Sequence, residues 1–163
     1  MAEVVLRDEL DRAGLAGRAE VDSAGTGDWH LGQPMDRRAR AELERRGFDG
    51  SAHRARQFRP SWFGQRDLVL ALDRNNLADL REMAPDDDAA GPRLLLLRAF
   101  DPALAGLPQA ADADRYHGEV PDPYGGHPED YTLALDLVQA AVRGLAGRLA
   151  ERLGAPAAEA GNG

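Results

Sequence analysis

No cysteine occurs in the 163 residues. Disulfides, thiolate zinc sites and thiol redox chemistry are therefore excluded within this chain. Lysine is missing as well: all 20 basic residues are arginine. Arginine makes planar two-pronged contacts with carboxylates and phosphates, but a bias spread over the whole chain is read as GC-rich coding, and no function follows from it. Long apolar runs are lacking too. No aliphatic stretch, Leu94 to Leu97 included, is long enough to span a bilayer. Met1 to Asp11 carries Glu3, Arg7, Asp8, Glu9 and Asp11, which leaves no apolar signal segment there. With no basic tract and a net charge of −8, a nucleic-acid partner is not expected. His30, His53, His117 and His127 show none of the paired spacing of a metal site, so neither a metal nor a cofactor is expected. The residue set predicts a cytoplasmic protein that works away from membranes and nucleic acids.

What is present fits one domain over residues 1–153, followed by an Ala/Gly/Glu-rich tail over 154–163 that is expected to be disordered. Ala2, Val5, Leu6, Leu10 and Ala13 recur at helical spacing and Gly14 is a stop. Glu20 to Ser23 reads as a short strand running into the polar turn Ala24-Gly25-Thr26-Gly27. A helix fits Asp36 to Arg46, and the apolar run Asp67 to Leu72 fits a strand buried on both faces. Asn75 to Met83 suits a helix capped by Asn75 or Asn76, and Leu94 to Leu97 is another buried strand. A long irregular stretch, 101 to 126, precedes a last helix over Thr132 to Leu153, with Leu133, Leu137, Ala140, Ala141, Leu145 and Leu149 on one face. Asp86-Asp87-Asp88 reads as a solvated loop.

Strands alternating with helices predict an α/β fold, a three-layer doubly wound, mostly parallel sheet. Ligands of such sheets bind beyond the carboxyl ends of the strands. Ser23, Asp73 and Asp122 each come after a strand or sit in a loop, so they can meet on one rim.

Four segments in order carry a resemblance. They are Val21-Asp22-Ser23-Ala24-Gly25-Thr26 with Asp28-Trp29-His30; Pro34 to Ala39; His53-Arg54-Ala55-Arg56-Gln57; and Leu72 to Leu77 ahead of Val120-Pro121-Asp122-Pro123-Tyr124-Gly125. Together they resemble the low-molecular-weight protein tyrosine phosphatases, over roughly Met1 to Leu153. That family's Cys-x5-Arg-Ser-Pro loop is not among these residues, and Met1-Ala2-Glu3 resembles the residues just after its Ser-Pro. The resemblance implies a start about 20 residues late, inside the first helix, through a mis-assigned start or a truncation rather than a natural cysteine-free relative. It also implies loss of a central strand, unpaired neighbouring edges and poor stability.

The resemblance further implies a phosphate-monoester hydrolase acting through a phosphocysteine, with a phosphotyrosine-containing protein or an aryl phosphate as partner. Asp122 matches the general acid, and its flanking prolines restrict the backbone around it. Trp29 and Tyr124 match the aromatic walls of the substrate site, although Gly125 stands where the family usually has a second tyrosine. Ser23 and His53 match a pair that braces the phosphate loop; Asp73 matches a loop-supporting residue, with helix capping as its alternative. Arg56 is read as structural. No nucleophile is present, so the chain as given is expected to be inactive, as a monomer or weak dimer. The other readings are a cysteine-free phosphoprotein-binding or regulatory homologue, or a protein-arginine phosphatase.

Overall fold

A computed structural model describes residues 1–85, 94–106 and 118–154. The Asp86-Asp87-Asp88 loop, His117 and all but the first residue of the expected tail lie outside the described residues. Among the described residues, four α-helices and two strands carry the fold. They are α1 (Ala2–Arg12), α2 (Arg37–Arg45), β1 (Val69–Ala71), α3 (Arg74–Met83), β2 (Leu94–Leu96) and α4 (Pro128–Leu153). None of these helices is long and apolar enough to cross a membrane.

Helix ends obey local chemistry. The Asp36 carboxylate accepts from the backbone N–H groups of Arg38 and Ala39 and so starts α2. Helix α3 is capped by Asp73, which accepts from Asn76 N at 2.6 Å, and not by Asn75 or Asn76. An acceptor one residue before the first helical N–H reaches the N3 amide, whereas the two asparagines already lie inside the first turn. Helix α4 begins at Pro128, four residues earlier than its apolar pattern suggests, because His127 N donates to Asp130 Oδ2 at 2.7 Å and Pro128 suits a first helical position. Its buried stripe is Tyr131, Ala134, Leu135, Val138, Ala141, Val142, Leu145 and Ala146. The expected face is thus rotated by about one position, since α4 is covered from several sides and Leu133, Leu137, Ala140 and Leu149 flank the core.

Alternation along β1 builds three layers. Leu68, Leu70 and Leu72 pack on the side of α1, α2 and α4, with Val5, Leu43, Val138 and Val142. Val69 and Ala71 face the opposite way, against Leu77 and Leu80 of α3 and Phe63. β1 and β2 are parallel, with Val69 opposite Leu94 and Ala71 opposite Leu96. The expected strand at Glu20 to Ser23 does not form. Only a single parallel bridge, Gly25 with Gln57, marks that region, and a strand exists only where a neighbour completes its ladder.

A buried ion pair stabilises the turn after β2. Arg98 and Asp101 are both buried; Arg98 Nη2 lies 3.2 Å from Asp101 Oδ2, and Asp101 Oδ1 accepts from Ala103 N at 3.0 Å. Removing Asp101 takes this carboxylate from the buried Arg98 guanidinium, whose Nη1 keeps Glu119 O at 3.3 Å. Asp101→Ala is expected to cost about 3–5 kcal/mol, read as a lower urea midpoint at unchanged slope. A cost under about 1 kcal/mol would show that solvent already reaches the pair.

Candidate active site

The carboxyl end of β1 opens on a cleft of about 320 Å³ lined by Met1 and Ala2 from the start of α1, Ala24 and Gly25, Asp36, Leu72, Asp73, Asn76, and the run Val120 to Tyr124. Val120 N donates to Leu72 O at 2.8 Å, which carries the irregular chain back to the end of β1. Pro121 and Pro123 then fix the backbone on either side of Asp122. The Asp122 side chain accepts from Tyr124 N at 3.0 Å. Gly125, at φ 77, turns the chain in a conformation that β-carbon-bearing residues avoid. Arg38 Nη1 holds Gly126 O at 2.7 Å from α2.

Ser23 Oγ and His53 Nε2 lie 3.3 Å apart. A third member leaves no mark in the sequence: the Ser23 hydroxyl donates to Glu3 Oε2, which also lies 3.8 Å from His53 Nε2. Arg7 in turn pairs with Glu3 at 2.8 Å. The cluster is not a serine-hydrolase triad. Such a triad needs its carboxylate on the imidazole nitrogen remote from the serine, and here both partners meet Nε2 while Nδ1 is buried with no hydrogen-bond partner among the described residues. Glu3 carries no usable signal, because an acid in a first helical turn is ordinary dipole complementation.

Burial, then repulsion from the Met1 α-amino charge, hold the His53 pKa below its usual 6.5, with Glu3 opposing and Arg56 and Arg54 assisting. The unfolded chain therefore binds a proton that the folded form refuses. Stability rises with pH in the window below 6.5 and is lost as pH falls through it. His53→Gln is expected to flatten that limb, whose slope approaches at most about 1.4 kcal/mol per pH unit, in urea unfolding between about pH 5 and 7. An identical slope in the variant would exclude His53 as its source. Asp22, held low mainly by its hydrogen bonds to Arg66, contributes in a separate window below the ordinary Asp value of 3.8.

Trp29 stays outside the cleft lining. It is 76% exposed and its ring folds over Gly27, where a β-carbon would collide with it. The rims nevertheless meet: the His30 ring lies 5.9 Å from the Tyr124 ring, and His30 Nδ1 is 3.2 Å from Gln33 Oε1. Nothing in the sequence singles out His30 as a contact of Tyr124, since a lone exposed histidine has no pattern. Arg56 sits over Trp62 at 5.4 Å, pairs with Asp22 and donates to Ser23 O. Asp73, Asp122 and Tyr124 thus share one cleft, Ser23 and His53 meet outside its lining, and Trp29 lies outside it, over Gly27.

The model of the low molecular weight phosphotyrosine protein phosphatases matches residues 1–155. The chain belongs to this family. A low molecular weight protein-tyrosine-phosphatase of Streptomyces coelicolor is 46% identical over 154 residues, covering 94% of this chain and 87% of that protein. Low molecular weight protein-tyrosine phosphatase A of Mycobacterium bovis is 33% identical, over 94% and 85%. Among solved structures, a protein tyrosine phosphatase from Entamoeba histolytica superposes with TM-score 0.79 at 26% identity, over 93% and 88% of the two chains. A low molecular weight phosphotyrosine phosphatase from Vibrio cholerae gives 0.77 at 27%, over 93% and 88%. The phosphatase fold is α/β and doubly wound, as the residue pattern predicts.

Proposed function

We propose that this chain is the acid-bearing and ring-binding part of a phosphotyrosine phosphatase, and that the polypeptide Met1–Gly163 is by itself catalytically silent. The observation that carries the reading is Asp122 on the lip of the cleft beside Tyr124, in a chain without a thiol. In phosphate-ester cleavage by a thiolate, sulfur bonds to phosphorus as the P–O bond to the phenol breaks. Asp122 would give its proton to the leaving phenolate oxygen. It would then take a proton from the water that frees the phosphate. Tyr124 would flank the ring, and Trp29, which lies over Gly27 outside the described lining, would have to swing inward to form the second wall. Ser23, His53 and Glu3 would brace the loop behind the phosphate, and Asp73 would support it from the start of α3.

The family's partner class, a phosphotyrosine-containing protein or an aryl phosphate in the cytoplasm, goes with this reading, as does a monomer or weak dimer. A phosphoprotein-binding module is less well supported. The described lining holds the carboxylates of Asp36, Asp73 and Asp122 and no cationic side chain, and burial lowers the pKa of the nearby Met1 α-amino group. Calorimetry with phosphotyrosine is expected to give no heat; micromolar binding would favour the module. Reading the bases ahead of the Met1 codon tests the phosphatase assignment, which predicts an in-frame Cys-x5-Arg-Ser-Pro there.

A further inference from the structure

Between Asp49 and Asp67 the sequence holds four arginines, Arg54, Arg56, Arg59 and Arg66, and no acid, in a chain whose net charge is −8. The structure organises them. Arg56 and Arg66 both lie over Trp62, their guanidinium carbons 5.4 and 5.0 Å from its ring centroid. Phe58 meets the same ring edge-on at 5.7 Å, and the buried Phe63 meets Phe58 at 5.0 Å, so the indole stands on a packed base. Asp22 steadies the two arginines. Arg66 grips it through Nε at 3.2 Å and Nη2 at 2.6 Å, and Arg56 Nη2 lies 3.4 Å from it. One carboxylate thus answers two guanidinium groups, with a weaker pull on Arg66 from Glu20. Arg59 is exposed and makes no ion pair among the described residues. Arg54 donates to the backbone oxygens of Ser51 and His53 and meets no carboxylate there.

We propose that this arginine and tryptophan face is a docking surface for an acidic segment of a partner protein. Charge sets the class of ligand, because guanidinium forks match carboxylates in two-pronged geometry. Preorganisation favours it as well. Arginines already turned by Asp22 and by the face of Trp62 lose little further freedom when a carboxylate arrives. Position gives the surface its use. Gly25 N donates to Arg56 O and Phe58 N to Gly25 O, both at 2.8 Å, and Gly25 lines the cleft. Acidic residues flanking a phosphotyrosine seated in the cleft would therefore pass Arg56 and Arg59, a consequence that rests on the phosphatase reading. A long polyanion such as nucleic acid fits less well. It would meet the field of a chain at −8 and the carboxylates of Asp36, Asp73 and Asp122 on the cleft walls, whereas a short acidic run meets the patch alone.

The test uses the whole chain carrying Trp29→Phe, which leaves Trp62 as its single tryptophan. The probe is an acetylated Asp-Glu-Asp-Glu-Asp amide, and the same-length lysine peptide is the control. At about 20 mM salt the acidic peptide is expected to shift Trp62 emission with a Kd of roughly 10–100 µM, and at about 0.3 M salt to bind at least tenfold more weakly. Arg59→Glu should weaken it by about tenfold. Arg143→Glu makes the same charge change at an exposed arginine of α4 and should leave the Kd within about twofold. Equal losses from the two variants would mean that the peptide answers net charge alone, and would overturn the proposal. So would no shift of Trp62, an equal shift with the lysine peptide, or tighter binding of a single-stranded oligothymidylate. Neither peptide carries phosphorus, so failure here leaves the phosphatase reading standing. Conversely, a missing Cys-x5-Arg-Ser-Pro ahead of Met1 would leave the docking surface in place.

Discussion

The polypeptide Met1–Gly163 is expected to hydrolyse p-nitrophenyl phosphate on the order of 10⁶-fold more slowly than a family member with its thiolate in place. Catalytic groups of this kind act as a unit, and a proton donor without a nucleophile has no bond-making step to assist. The surroundings deepen the deficit. A phosphate dianion entering the cleft meets Asp36, Asp73 and Asp122 on its described walls and no cationic side chain. Asp122→Asn should leave the residual rate unchanged. Turnover within about 100-fold of a complete enzyme, abolished by Asp122→Asn, would instead reveal a nucleophile among the side chains present.

The sequence showed helices and buried strands where local pattern suffices, and it failed where structure is a relation between distant segments. Ala39 and Leu43, and Leu77 and Leu80, are spaced by helical turns and are buried as that spacing requires. Leu68 to Leu72 reads as one apolar run because the sheet is covered on both sides. Glu20 to Ser23 has strand chemistry, yet lacks a neighbouring ladder, and no local pattern reports that. At Leu72-Asp73-Arg74-Asn75-Asn76 three of the residues are capping types; only the position of the first helical amide decides among them.

The site divides in the same way. Asp122 and Tyr124 were legible because two prolines bracket a single acid next to an aromatic residue. Ser23 and His53 were legible only through the four ordered segments, and the structure places them 3.3 Å apart. Glu3 and His30 were not legible. Glu3 lies 20 residues from Ser23, and His30 touches Tyr124 across the two rims. Neither contact leaves a spacing in sequence. Arg98 and Asp101 are a further case: an i,i+3 spacing gives no sign that both members of the pair are buried.

Joining a Val-rich strand and a Cys-x5-Arg-Ser-Pro loop in frame ahead of Met1 is expected to confer aryl-phosphate turnover, and Asp122→Asn in that protein to lower kcat by about 10²–10⁴-fold. The position of the carboxyl group is the reason. Val120 is bonded to the end of β1, the flanking prolines restrict the backbone, and Tyr124 N holds one carboxylate oxygen, leaving the other directed away from that bond. A donor so placed matters in proportion to the basicity of the departing oxygen. The loss should therefore be largest for phenyl phosphate and phosphotyrosine, and small for a dinitrophenyl ester, whose leaving group departs without a proton. The variant should also lose the fall in kcat at high pH that reports deprotonation of the acid. A uniform loss across leaving groups, with the pH profile intact, would mean that Asp122 only supports the loop. Asp122→Glu adds one methylene to a carboxyl group that these prolines place; recovery of more than about a tenth of the lost rate would show that the position is looser than the bonds around it indicate.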